Sequence, residues 1–190
     1  MSQKNLYEIL DYVDHSRAKR KTVVAFLRQN PSWIPKLLEI AYENQSPVSS
    51  RACWVLDFTL KTDIELLFPY IKVFTDNLGS VHLDSSVRPI AKICEHLIIA
   101  YFAKEKNAVQ EVLKKTHREK ITTACFDWLI SEQKVAPQAY AMICLLHLGE
   151  EFDWIHPELL LILEKNYHTG SAAYKARSRQ VFAKLKRTRS

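Results

Sequence analysis

Glycine is scarce in this sequence: the chain of 190 residues contains three, Gly79, Gly149 and Gly170. A phosphate-binding loop, a dinucleotide-binding fingerprint and a nucleophile elbow each require several glycines within a few positions. The sequence therefore excludes these classes of site. Gly79 and Gly149 each follow a leucine at the end of an apolar-periodic segment. Because helices commonly end on a left-handed residue, we expect both glycines to end helices in that conformation.

Strand signals are also missing, because no segment combines β-branched residues in alternation with flanking turn dipeptides. The seven prolines all precede or open segments in which apolar residues recur at helical spacing, and none interrupts such a segment. Proline costs little at the first turn of a helix, where its missing N–H would be unpaired in any case. The sequence therefore predicts an all-α fold.

Long hydrophobic stretches are absent as well. The longest apolar run, residues 97–103, is far shorter than the ~20 residues that span a bilayer. The first residues reach Glu8 and Asp11 without the apolar core of a secretory signal. We therefore expect a cytoplasmic protein with no membrane partner.

Metal-binding motifs do not occur, and we expect neither a metal nor another cofactor. The nearest metal-like spacing, Cys144 to His147, has no second pair of ligands and lies in an apolar setting. The four cysteines are far apart in sequence, and each lies among large apolar residues. We expect all of them to be reduced core residues: Cys53, Cys94, Cys125 and Cys144.

Charge is distributed unevenly along the chain. Residues 1–38 contain seven basic and three acidic residues, residues 39–164 contain 12 and 18, and residues 165–190 contain eight and none. The net charge of +6 therefore belongs to the two ends. This distribution predicts an acidic body with a cationic C-terminal helix. That helix either contacts nucleic-acid phosphate or an acidic partner, or serves only as a cap with cations at its C-terminal dipole.

Apolar residues spaced for one face of a helix predict about ten or eleven helices. Ser49-Ser50 and Ser171 precede two of them as candidate N-caps. Short helices joined by tight turns pair as αα-hairpins, which stack to bury their apolar faces. The predicted helix cores are 6–13, 18–28, 33–42, 51–60, 66–78, 87–102, 109–115, 121–130, 138–148, 158–166 and 172–185.

A weak internal repeat accompanies these helices. Three first helices of pairs open with a large apolar residue and a proline, at residues 34–35, 68–69 and 154–157. The second helices carry a cationic or amide residue near their start, at steps of 37, 50 and 37 residues: Arg51, Arg88, Gln138 and Lys175. This pattern resembles HEAT and armadillo-type repeats over roughly residues 31–186. The resemblance implies an α-α superhelix of stacked helical hairpins whose second helices line a concave face.

We predict one HEAT-like domain over residues 1–190. Residues 1–30 are expected to form an N-terminal capping helix pair, and residues 171–190 a basic C-terminal capping helix and tail. Residues 104–120 are rich in charge and carry few apolar residues. We expect them to be an insertion that accounts for the longer middle step of the repeat.

The resemblance implies a scaffold or adaptor that binds a protein or peptide through its concave face, and we expect no enzymatic activity. All-helical lyases of the adenylosuccinate lyase type are similar only in being helical. Their signature loop needs a methionine directly before a proline, whereas the only internal methionine here, Met142, precedes Ile143. A lyase activity therefore has no support in the sequence.

The alternative is a nucleic-acid-binding module that resembles the HEAT-like alkylpurine DNA glycosylases, which use a cationic, aromatic-lined concave surface with an aspartate. No motif of that family matches position by position, so we assign no catalytic residue. Trp54 and Trp128 can stack on bases or simply pack in the core. Across both hypotheses, the candidate binding residues are Arg51, Trp54, Asp57, Arg88, Lys92, Gln138, Lys175 and Arg179.

Overall fold

A computed structural model describes residues 3–14, 16–131 and 134–188. Within these ranges it contains eleven α-helices and no strand, which confirms the predicted all-α class and helix number. No helix in the described ranges is both long enough and apolar enough to cross a membrane. The helices are α1 (Gln3–Tyr12), α2 (Arg17–Gln29), α3 (Ile34–Tyr42), α4 (Val48–Thr62), α5 (Ile71–Asp76), α6 (Asp84–Tyr101), α7 (Ala108–Val112), α8 (Lys115–Ile130), α9 (Val135–Leu148), α10 (Ile155–Tyr167) and α11 (Ala172–Thr188).

The chain divides into two compact units, residues 1–93 and 94–190, with the division inside α6. The prediction of one domain over residues 1–190 stays a prediction. In the first unit, α4 packs against α1, α2 and α3, and a 3-10 helix (Ile64–Tyr70) leads into α5. Leucines from these helices are fully buried in its core, and burying each of them contributes about 2 kcal/mol: Leu6, Leu10, Leu27, Leu37 and Leu56.

Several side-chain hydrogen bonds in the first unit join residues that are 35 or 36 positions apart: Tyr7 with Glu43, Asn44 with Ser80, Ser50 with Ser86, and Asp57 with Lys92. Other side-chain bonds in this unit span 31, 32, 38 and 40 positions. The bonds of Ser50 with Ser86 and of Asp57 with Lys92 show that α4 and the first half of α6 run in the same direction where they meet.

The prediction that Gly79 and Gly149 adopt the left-handed conformation is wrong. All three glycines are described, and none has a positive φ. Gly149 follows α9 with φ −67°, and a Cβ there would lie 2.0 Å from the ring of His156. Nε2 of His156 is hydrogen-bonded to the carbonyl of Leu146 at 2.8 Å. Close approach of this ring, not backbone conformation, therefore requires glycine at position 149.

The left-handed residue of the first unit is Asn44, with φ 53°. Asparagine tolerates this region because its short side chain can hydrogen-bond locally. Its Nδ2 donates to the carbonyls of Tyr42 at 3.1 Å and Ser80 at 2.6 Å, and its Oδ1 accepts from the His82 N–H at 3.0 Å. Asn44 thereby ties the turn after α3 to the segment that precedes α6.

Proline positions and caps were only partly predicted. Pro89 is the sixth residue of α6, so the prediction that no proline interrupts a helical segment is wrong there. The hydroxyl of Ser171 accepts from the Tyr174 N–H at 3.2 Å, which confirms that cap. Ser49 and Ser50 are not caps, because α4 begins at Val48 and both serines are buried within it.

The second unit is built around α9, which packs against α8, α10 and α11. The proposed insertion, residues 104–120, contains α7 and the first turns of α8, which begins six residues before its predicted core. Asn107 caps α7 in a capping box with Gln110. The predicted basic C-terminal helix is α11, while the last two residues of the predicted tail lie outside the described residues.

Candidate functional site

Five of the eight candidate binding residues lie in the first unit, on α4 and the first half of α6. We call this set the α4–α6 face: Arg51, Trp54, Asp57, Arg88 and Lys92. Residues 51, 54 and 57 fall on successive turns of α4, and residues 88 and 92 are one turn apart on α6. Hydrogen bonds between the two helices join Trp54 to Ser85 and Asp57 to Lys92, so these parts of the predicted site lie together.

Asp57 and Lys92 form a partly buried ion pair across this face. The Lys92 ammonium lies 2.9 Å from both carboxylate oxygens of Asp57, and the side chains are 23% and 10% exposed. A carboxylate buried to this degree needs a cation and hydrogen bonds to offset its desolvation. Lys92 supplies both, so Asp57 is a neutralised structural carboxylate in this arrangement.

Trp54 completes the hydrogen bonding of α6. Pro89 has no N–H, so it cannot bond to the carbonyl of Ser85 four residues earlier. The indole Nε1 of Trp54 donates to that carbonyl at 2.9 Å. Trp54 therefore has a structural role that its sequence environment does not show, and its ring is only half-buried.

Two cations of α2 contact aromatic rings of other helices in the first unit. The guanidinium of Arg20 lies 4.3 Å from the ring centroid of Phe58 on α4, and the Lys19 ammonium lies 4.7 Å from that of Tyr12 on α1. Such contacts hold long cationic side chains over apolar surface.

The two arginines of the face differ in exposure. The Arg51 side chain is 21% exposed, and its Nη1 lies 2.5 Å from the carboxylate of Asp11, whose side chain is 80% exposed. Arg88 is exposed. Arg88 therefore gives the face accessible positive charge, whereas the charge of Arg51 is held by Asp11.

The other three candidate residues lie in the second unit. Gln138 is half-buried on α9, Lys175 is half-buried on α11, and Arg179 is exposed on α11. Nη1 of Arg179 donates to the hydroxyl of Tyr167 at 3.4 Å. The structure thus places the eight predicted residues in two groups, each within its own unit.

Sequence reasoning missed Arg118, which is 6% exposed at the start of α8. Its Nε and Nη2 donate to the two carboxylate oxygens of Glu151 at 2.7 and 2.6 Å, and Nη1 donates to the carbonyl of Leu113. The guanidinium also lies 4.1 Å from the ring centroid of Tyr101. Such bidentate geometry makes Arg118 a rigid link within the second unit. No local pattern joins residues 33 positions apart, so the sequence carried no signal for it.

Three of the four cysteines, Cys94, Cys125 and Cys144, are fully buried in the second unit. Burial raises the pKa of each of these thiols, and it raises the pKa of Cys53 in the first unit to about 12. All four are free thiols, and the described residues contain no cluster of three or more potential metal ligands.

Two other surface features occur in the second unit. A cavity of about 280 Å³ opens between α10 and α11, lined by Leu160, Glu164, Phe182, Leu185 and Lys186. This volume is below the ~300 to 1,000 Å³ of typical small-molecule sites. Elsewhere, Phe126 and the exposed Trp154 form a stacked pair with ring centroids 5.4 Å apart. Trp128, in contrast, is 4% exposed and belongs to the core.

Comparison with protein-family models, curated proteins and solved structures found no match to this chain.

Proposed function

We propose that this chain is a non-enzymatic HEAT-like scaffold that binds an extended acidic segment of a partner protein on the α4–α6 face. The observation that carries the proposal is the register of the first unit, where side chains of α4 meet those of α6 35 or 36 positions later. This offset lies between the ~34-residue period of the shorter helix–turn–helix repeats and the ~40 to 47 residues of HEAT and armadillo repeats. Equivalent second helices would then line one groove.

The charge of the face supports an acidic ligand. Asp57 is neutralised by Lys92, whereas Arg88 is exposed. Arg51, 21% exposed, is paired with Asp11, 80% exposed, and ion pairs near the surface typically contribute ~0.2 to 1 kcal/mol. Arg51 can therefore exchange Asp11 for a ligand carboxylate at small cost, and two arginines then bind along one extended segment.

The state of Asp57 supports binding rather than catalysis at this face. A general acid–base site requires titratable groups that converge in a pocket and reach the substrate. The Asp57 side chain is 10% exposed, and its carboxylate is held at 2.9 Å by Lys92. A glycosylase-like use of Asp57 would require this ion pair to open.

The test is the double variant Arg51→Ala with Arg88→Ala. We expect it to fold normally and to weaken binding of a fluorescent peptide of alternating glutamate and leucine by ~1 to 3 kcal/mol, the range for lost charge-assisted hydrogen bonds. The matched control is Lys21→Ala with Lys61→Ala, which removes two exposed cations from α2 and α4. Equal binding by both double variants, measured by fluorescence anisotropy, would contradict the proposal.

Nucleic-acid binding is the second candidate function, and the basic C-terminal segment favours it. Residues 165–190 contain eight basic and no acidic residues, and Arg179, Lys184 and Lys186 are exposed. Phosphate binding would weaken steeply with salt, because each neutralised phosphate releases counterions. Titration with a duplex oligonucleotide at two salt concentrations separates the two functions. If deletion of residues 186–190 abolishes the main interaction while the double arginine variant binds normally, the basic segment is the site.

A further inference from the structure

The stacked pair of Phe126 and Trp154 forms an exposed aromatic surface in the second unit. Their ring planes are inclined by 21° with centroids 5.4 Å apart, and Trp154 is 54% exposed. Ile130, one turn after Phe126 on α8, is 64% exposed and extends the same helix face. Large apolar side chains that are exposed together on the surface indicate an interaction site.

Acidic residues accompany this aromatic pair in the sequence. The two segments that carry it, residues 126–130 and 150–158, contain five acidic residues and no lysine or arginine, although Glu151 is bound to Arg118 and Glu150 lies 3.3 Å from His147. Asp127 and Asp153, the chain neighbours of Phe126 and Trp154, are both exposed. We call this set the acidic aromatic patch: Phe126, Asp127, Ile130, Asp153 and Trp154.

Helix stability explains only part of this charge. Asp153 lies just before α10, where a negative charge interacts favourably with the N-terminal end of the helix dipole. Asp127 lies in the last turn of α8, where a negative charge is unfavourable. An exposed acid at an unfavourable helix position beside exposed apolar rings therefore points to a ligand.

We propose that the acidic aromatic patch is a docking surface for an arginine-rich segment of a partner protein. A guanidinium group stacks on an indole face and binds a carboxylate through two parallel hydrogen bonds. The patch offers both groups on consecutive residues of the chain, in Trp154 with Asp153 and in Phe126 with Asp127, and both carboxylates are exposed. Lysine has a compact ammonium without the planar fork, so it fits this pair less well.

The chain's own cationic helix is a poorer occupant. In α11, Nη1 of Arg177 donates to Oε1 of Gln180 at 3.1 Å, and Nη1 of Arg179 donates to the Tyr167 hydroxyl at 3.4 Å. A second copy would have to break these bonds before its arginines could bind the patch. A foreign arginine-rich segment carries no such cost.

The experiment uses the full chain and a labelled peptide in which arginines alternate with leucines, with lysine and glutamate versions for comparison. We expect tighter binding of the arginine peptide than of the lysine peptide, and no binding of the glutamate peptide. Trp154→Ala should weaken the arginine peptide at least tenfold. Asp127→Asn with Asp153→Asn keeps the aromatic stack and should weaken it by about three- to tenfold, with a flatter dependence on salt.

Two control variants distinguish loss of binding at this patch from general effects of substitution and from the proposed function of the α4–α6 face. Glu8→Gln with Glu65→Gln removes two exposed acids from the first unit and should leave the arginine peptide unaffected. The double variant Arg51→Ala with Arg88→Ala should bind it normally, so failure at one surface is distinguishable from failure at the other. Three results would each overturn the proposal. The first is equal affinity for the arginine and lysine peptides, and the second is binding of the arginine peptide by Trp154→Ala as tight as by the wild type. The third is self-association of the chain that depends on concentration and is lost in Trp154→Ala.

Discussion

The hydrogen bond from Trp54 to the carbonyl of Ser85 predicts an energetic coupling between Trp54 and Pro89. Trp54→Phe keeps an aromatic ring but removes the indole N–H, which leaves that carbonyl to water. A single hydrogen bond of this kind contributes about 1 kcal/mol net. We therefore expect Trp54→Phe to lower the free energy of unfolding by ~1 kcal/mol, or the melting temperature by about 2 to 4 °C for a chain of this size.

The same substitution should cost less when Pro89 is replaced by alanine. The N–H of Ala at this position lies four residues after Ser85 and can bond to its carbonyl within α6. The carbonyl then has a partner without Trp54. We expect the cost of Trp54→Phe in the Pro89→Ala background to fall below ~0.5 kcal/mol, a coupling that a double-mutant cycle detects.

Urea unfolding of the four proteins, followed by far-UV circular dichroism, measures this cycle. The effect of Pro89→Ala alone on the free energy of unfolding cancels within the cycle. The cycle therefore measures only how the cost of Trp54→Phe changes between the two backgrounds. Trp33→Phe, made in both backgrounds, is the matched control, because Trp33 lies in the 3-10 helix Pro31–Trp33, in edge contact with Phe26. An equal cost of Trp54→Phe in both backgrounds would refute the reasoning.

Two further predictions concern Gly149 and the buried thiols. Gly149→Ala should destabilise the protein by ~2 to 4 kcal/mol, because its Cβ would displace the His156 ring, whereas Gly79→Ala meets nothing within 4 Å and should be nearly neutral in thermal unfolding. Burial raises the pKa of Cys53 from 9.0 to about 12, so the folded state keeps a proton that the unfolded chain loses, and stability should fall as pH rises between these values. As pH rises from 9.0 to about 12, the free energy of unfolding of the wild type should therefore fall relative to that of Cys53→Ala. A difference between the two proteins that does not change with pH would contradict the raised pKa of Cys53.

Local sequence was sufficient to predict the helices. Apolar residues at helical spacing located the segments, and the buried residues of α11 recur at that spacing: Tyr174, Ser178, Val181 and Leu185. The cap at Ser171 was predicted for the same reason, since a cap depends on residues within one turn. The placement of all four cysteines in the core likewise followed from their apolar neighbours.

The errors occurred where a contact from another element replaces a local rule. Pro89 lies inside α6 because Trp54, 35 residues earlier, supplies the donor that the proline removes from the Ser85 carbonyl. Gly149 has an ordinary helical φ because its role is to admit the ring of His156. Neither reason is visible in the few residues around the proline or the glycine.

The sequence by itself determined that the chain is helical and which side of each helix is buried, because propensity and periodicity act between residues within a few positions of one another. Tertiary structure alone decided which side chains meet between helices. The ion pair of Asp57 with Lys92 and the stack of Phe126 on Trp154 join residues that lie 35 and 28 positions apart. The register of one helix against the next sets such pairs, and that register depends on packing along the whole contact rather than on any short segment.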